Sequence, residues 1–137
     1  VAQLALDLDP AAGWVLVCND ARMGEVYCGE FRRGGDGLAE PAGEESVMPP
    51  GRVQLAAVTG GHAGRCIGAG RGFRAYPELC ERLRPALAGV YAAILPSAAA
   101  LLRLAQADWQ RGLALPAAAA QPVYLRDNVA RPAAPVT

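Results

Sequence analysis

Residues 14–19 read Trp-Val-Leu-Val-Cys-Asn, an unbroken apolar run of strand length and the pattern of a strand covered on both faces. Glu25–Arg33 instead alternates, with Val26, Cys28 and Glu30 on one side and Tyr27, Gly29 and Phe31 on the other. That period suits a half-covered strand, and the two runs predict a hairpin. The intervening Asp20-Ala-Arg-Met-Gly24 predicts a turn longer than the two-residue ideal. Residues 45–48 and 65–68 predict two further short strands. Residues 1–8 read as a helix entered partway, because no capping Ser, Thr, Asp or Asn precedes them. A short helix is expected over 51–57 after Pro49-Pro50, and another includes Pro77–Leu83. The clearest helix runs from Ser97 to about Arg111, with Pro96 before it, Gly112 after it, and Leu101, Leu102, Leu104 and Ala105 as its apolar stripe. Residues 34–42 and 60–64 predict Gly-rich connections, 116–120 an Ala linker, 122–129 an extended segment and 132–135 a tail. The order β-β-β-α-β-α-α implies a mixed sheet with helices on at least one side.

Composition narrows the function. The 137 residues carry 13 basic and 13 acidic side chains, for no formal net charge, and 53% are hydrophobic. A disordered chain and a strongly basic nucleic-acid binder are excluded. Every cation is arginine, so the chain supplies no phosphate-binding or Schiff-base lysine. No window approaches the ~18 apolar residues of a membrane-spanning helix, and no cationic region precedes an apolar stretch at the amino end. The chain opens on Val1 and not on Met, as a piece of a longer protein would. Cys18, Cys28, Cys66 and Cys80 contain no C-x-x-C pair and read as free, mostly buried thiols of a cytoplasmic protein.

Candidate chemistry is sparse. His62 is the single histidine, and a zinc site needs three or four ligands, so no metal is expected. Cys66 lies near it in sequence, but no third group orients a thiol–imidazole pair. Ser97 is explained as a helix cap. Gly68-Ala-Gly70-Arg-Gly72 lies between a strand and a helix but falls short of G-x-G-x-x-G; it is a tight turn or a nucleotide contact. Arg71, Arg74, Arg82 and Arg84 form a basic stretch interrupted by Glu78 and Glu81, a solvated face or a phosphate contact. The densest polar group is Asp20-Ala-Arg22-Met-Gly-Glu25, either an internally paired turn or a docking surface.

Asp20-Ala-Arg-Met-Gly-Glu-Val-Tyr27 resembles the signature of the TsaB (YeaZ) family, bacterial proteins needed to place threonylcarbamoyl on the adenosine beside the tRNA anticodon. Ile67-Gly-Ala-Gly70, Tyr76-Pro-Glu-Leu79, Leu95-Pro-Ser97 and Gln121-Pro-Val-Tyr-Leu-Arg-Asp-Asn-Val-Ala130 follow in the same order. The resemblance implies an α/β fold, one lobe of the actin/Hsp70-like (ASKHA, RNase H-like) type. Residues 1–12 would be the end of a helix leaving a first lobe, 13–130 the second lobe and 131–137 a tail. The Ile-Asp-Thr-Ser-like run that opens the first lobe is not found.

In nucleotide-binding relatives the counterparts of the Asp20 hairpin and of Gly68, Gly70 and Gly72 contact phosphate and adenosine. Here Ala21, Arg22 and Met23 would crowd the phosphate loop, so the resemblance implies a vestigial nucleotide site, no cofactor and no metal. It implies a non-catalytic scaffold or activator whose partners are a TsaD-like catalytic subunit, a TsaE-like ATPase and a second copy, with tRNA touched only indirectly and no membrane. Asp20, Arg22, Glu25, Tyr27, Tyr124 and Arg126 are expected to fix the hairpin and its contact to the neighbouring lobe. The rival readings are a nucleotide-binding module using residues 68–72, and a glycoprotease-like hydrolase that would need a metal or nucleophile not found in the chain.

Overall fold

The computed structural model describes residues 1–55 and 65–126. Helix α1 (Ala2–Leu8) leads into β1 (Ala12–Arg22) and β2 (Glu25–Arg33), followed by β3 (Ala39–Pro41) and β4 (Ser46–Met48). After β5 (Arg65–Ala69) come α2 (Gly72–Ala75), α3 (Pro77–Leu83), β6 (Val90–Tyr91) and α4 (Ala98–Gln110). The six strands make one mixed sheet in the order β3-β2-β1-β5-β6, with β4 also paired to β2. β1 is antiparallel to β2 and parallel to β5, and β5 is parallel to β6.

Alternation along β1 divides the core. Leu16 and Cys18 point to one face, where Phe73, Leu79, Leu83 and Leu87 cover them; Val15 and Val17 point to the other, under Ala2, Ala5 and Leu6 of α1. Both faces are therefore covered, which is why residues 14–19 can be apolar without interruption.

Several elements differ from the sequence pattern. Part of the Gly-rich connection over 34–42 is β3, held by the buried Gln3: its side-chain oxygen accepts from the Ala39 N–H at 2.8 Å. The short helix shrinks to a 3-10 turn at Pro50–Arg52, and the rest of its expected range from 56 lies outside the described residues, as do residues 60–64, residues 127–129 of the extended segment, and the tail. Strand β6 has no sequence signal because two residues carry no period. The stripe on α4 points outward: Leu101 and Leu102 are exposed and only Ala100 is buried. Ion pairs from Arg103 to Asp7 and from Arg111 to Asp36 hold this helix on its polar flank. Periodicity reveals a two-sided helix, not which side meets the sheet.

The end of α1 is fixed by distant charges. Arg33 donates to the Leu6, Asp9 and Ala12 carbonyls at 2.7, 3.1 and 3.0 Å, satisfying orphan acceptors of the helix end. Asp9 accepts from Arg65 at 2.9 Å and from the Tyr91 hydroxyl at 3.3 Å, tying α1 to β5 and β6. The Arg65 hydrogen bond is the main cause holding the Asp9 carboxyl below its ordinary 3.8, with burial opposing it. A depressed folded-state value contributes stability above the unfolded value that is lost as pH falls through the folded one. Acid titration of the unfolding midpoint should therefore show a loss below about 3.8 that is smaller in Asp9→Asn; identical acid limbs would contradict the assignment.

Candidate functional site: the clamped hairpin tip

The β1–β2 hairpin narrows to an unusual tip. Pairing runs from Trp14↔Arg32 to Asp20↔Val26, skips Ala21, and resumes at Arg22↔Glu25. The extra residue is a β-bulge, and it leaves a loop of only Met23 and Gly24. The tip is therefore tighter than the sequence pattern predicts, with β1 continuing through the expected turn. Arg22, Met23 and Gly24 have φ of 63°, 54° and 76°. Two-residue hairpins favour positive φ at both loop positions because that twist matches the strands, but a side chain there costs about 1–2 kcal/mol per residue.

Two sets of bonds hold this conformation. On one side, Asp20 Oδ1 accepts from the Arg22 backbone N–H at 2.9 Å and from the Tyr76 hydroxyl at 3.2 Å. The Arg22 N–H is the largest cause keeping the Asp20 carboxyl below 3.8; burial opposes it, and Tyr76, Arg22 and Arg71 assist. On the other side, Arg126 arrives from 105 residues downstream. Its Nη1 donates to the Ala21 carbonyl at 3.0 Å, and its Nη2 donates to the Arg22 carbonyl at 3.4 Å and to Glu25 Oε2 at 2.6 Å. The guanidinium also lies 5.9 Å from the centroid of the Tyr27 ring. This planar fork engages carbonyls, a carboxylate and an aromatic face at once, which a lysine cannot do.

Arg22, Glu25, Tyr27 and Arg126 thus form one contact set, and Asp20 braces the tip from the opposite side. Tyr124 belongs to the same carboxy-terminal strap, residues 121–126, but is 79% exposed. Tyr76 is the tip residue that the sequence pattern does not single out, since 56 residues separate it from Asp20. With its backbone acceptors engaged, the tip projects the Arg22 side chain, 87% exposed, and Met23, 72% exposed. Met23→Asn should raise the unfolding free energy by about 0.5–1 kcal/mol, because asparagine tolerates the left-handed loop position. A lower denaturant midpoint in this variant would contradict the turn assignment.

The glycines at 68–72 meet a different demand. A Cβ on Gly70, whose φ is +105°, would lie 2.5 Å from the Cys18 carbonyl oxygen; one on Gly72 would lie 2.8 Å from the same atom, and one on Gly68 2.8 Å from the Phe73 ring. The Gly68 and Gly70 N–H groups donate to the Gly89 and Tyr91 carbonyls at 2.9 and 3.2 Å. Close packing against β1 accounts for Gly70 and Gly72, and the Phe73 and Leu87 side chains account for Gly68.

The remaining candidates separate. Cys18, Cys28 and Cys66 are buried free thiols and Cys80 is half-buried. Burial pushes the Cys18 thiol well up and Cys66 to about 11, so neither is a ready nucleophile. His62 lies outside the described residues. Within the basic stretch, Arg82 donates to the Pro50 carbonyl at 2.7 Å, while Arg71, Arg74 and Arg84 are exposed. Among the described residues, no three His, Cys, Asp or Glu side chains stand close enough to hold a metal ion, and no helix is long and apolar enough to cross a membrane.

No protein-family model matches the chain. It is 34% identical over 121 residues to the tRNA threonylcarbamoyladenosine biosynthesis protein TsaB of Escherichia coli strain K12, an alignment covering 85% of this chain and 49% of that protein. Two solved structures from Pseudomonas aeruginosa share the fold. One, described as an uncharacterized protein with similarity to peptidase YEAZ, has a TM-score of 0.75 and 37% identity over 90% of this chain and 54% of that one. The other, YeaZ, has a TM-score of 0.68 and 33% identity over 89% and 54%. The chain spans about half the length of each of these relatives.

Proposed function

The chain belongs to the TsaB (YeaZ) family, and from that membership we propose that it serves in forming threonylcarbamoyladenosine on tRNA, as a non-catalytic scaffold or activator of a TsaD-like catalytic subunit. In this reading it is the second actin-like lobe of a two-lobe protein acting in the cytoplasm. A TsaE-like ATPase and a second copy are further partners, and tRNA is engaged through the assembly.

The observation that carries this reading is the tip itself. A hairpin held left-handed at two non-glycine residues, with Arg22 and Met23 facing solvent, stores backbone strain of the kind found at contact sites. Preorganised side chains lose less freedom on association than mobile ones. Zero net charge favours contact with a protein subunit over a grip on phosphates. Asp20, Glu25, Tyr27, Tyr124 and Arg126 position the tip or flank it, and Arg22 makes the contact.

Arg22→Ala tests the assignment, because an exposed side chain can be removed without loss of folding. Association with the TsaD-like subunit should weaken by about tenfold, as for a truncated interface arginine, and tRNA modification should fall with it. Unchanged association and modification would overturn the reading. Saturable heat on adding ATP would instead favour a nucleotide-binding module.

A further inference from the structure

Between the strap and the sheet lies a cleft of about 320 Å³, at the lower end of the ~300–1,000 Å³ of small-ligand sites. Its floor is the outer half of the hairpin. Gly29 leaves the floor open: a Cβ there would lie 3.1 Å from Glu45 Cγ and 3.4 Å from the Phe31 ring. Three aromatic side chains, Tyr27, Phe31 and Tyr124, line it together with Asn19 and Glu45.

Two charged side chains reach this space, and they are not equivalent. Arg126 is matched by Glu25 at 2.6 Å, so its charge is neutralised locally. The Glu45 carboxylate has no hydrogen bond or ion pair among the described residues. Among the described residues the cleft therefore combines aromatic rings with one carboxylate that has no countercharge, the chemistry that attracts a cation to ring faces. A guanidinium fits better than an ammonium, because it stacks flat on rings and donates in pairs to a carboxylate. RNA is disfavoured, since the same carboxylate repels phosphodiesters.

We propose that this cleft is a binding site for an arginine side chain of a partner polypeptide, which enters between the strap and the hairpin, stacks on the aromatic wall and pairs with Glu45. The site adjoins the hairpin tip, sharing Tyr27 and Arg126 with it, and does not depend on the tRNA-modification reading.

The test uses the full chain and two small probes of the same shape, N-acetyl-arginine methylamide and the uncharged N-acetyl-citrulline methylamide, followed by amide chemical shifts. The arginine probe should shift the amides of residues 27, 29, 31 and 124 saturably in the millimolar range, and citrulline should bind at least about fivefold more weakly. Glu45→Gln should weaken arginine binding by at least about fivefold, and Tyr124→Ala should weaken it as well. Both replaced side chains are exposed, so folding is not at issue. Equal binding of the two probes, no saturable shift, unchanged binding by Glu45→Gln, or stronger shifts from an RNA oligonucleotide would each overturn the proposal.

Discussion

Replacing Arg126 with alanine is expected to free the carboxy-terminal strap and loosen the hairpin tip together. The Arg126 side chain is only 12% exposed and that of Glu25 31%, so this pair has lost much of the solvent screening that makes surface ion pairs weak. The substitution removes hydrogen bonds to two tip carbonyls and a carboxylate. It leaves Glu25 half-buried without its countercharge. A fall of about 2 kcal/mol in unfolding free energy follows, below the ~3–5 kcal/mol of a fully buried pair. Limited proteolysis should cut residues 112–125 faster, and tip amides should exchange faster with solvent. Arg126→Lys should behave almost as badly, because one ammonium cannot reach both carbonyls and Glu25 at once. Wild-type proteolysis and midpoint in Arg126→Ala would show that the clamp holds nothing.

A larger loss is expected from Gly70→Ala. The new methyl would meet the Cys18 carbonyl and the Asn19 side-chain oxygen at 2.5 and 2.6 Å, and φ of +105° disfavours any side chain. Cys18 lies in the central strand, where its backbone cannot retreat without breaking the β1–β2 ladder. Destabilisation of about 3 kcal/mol or more follows, measured by denaturant unfolding. Gly13→Ala is the control: nothing lies within 4 Å of a Cβ there, and its effect should stay within about 0.5 kcal/mol. If Gly70→Ala were as mild as the control, close packing would not explain the glycine turn, and a ligand-contact role would regain its footing.

Several features were legible from local pattern. The unbroken apolar run at 14–19 and the alternation after Glu25 specify a covered strand beside a half-covered one, because side-chain period depends only on the chain's own geometry. The Asp20–Tyr27 motif, with the Pro-Val-Tyr-Leu-Arg run at 122–126, marked the residues that meet at the tip. Pattern alone left open whether those polar residues pair internally or face a partner; the structure shows internal pairing, with Arg126 on the Ala21 and Arg22 carbonyls and Arg22 itself 3.3 Å from Asp20.

Other features needed the whole fold. Tyr76 finds Asp20, and Arg126 finds Glu25, across 56 and 101 residues, and no local period encodes such a meeting. The outward stripe of α4 and the two-residue strand β6 likewise depend on neighbours. By itself the sequence determined where the longer strands and helices form and which family the chain resembles, since short-range sterics and hydrophobic period are local properties. Tertiary structure alone decided which faces are buried, why the glycines at 68–72 cannot carry a side chain, and how a distant arginine keeps the hairpin left-handed, since each depends on atoms brought together only when the sheet closes.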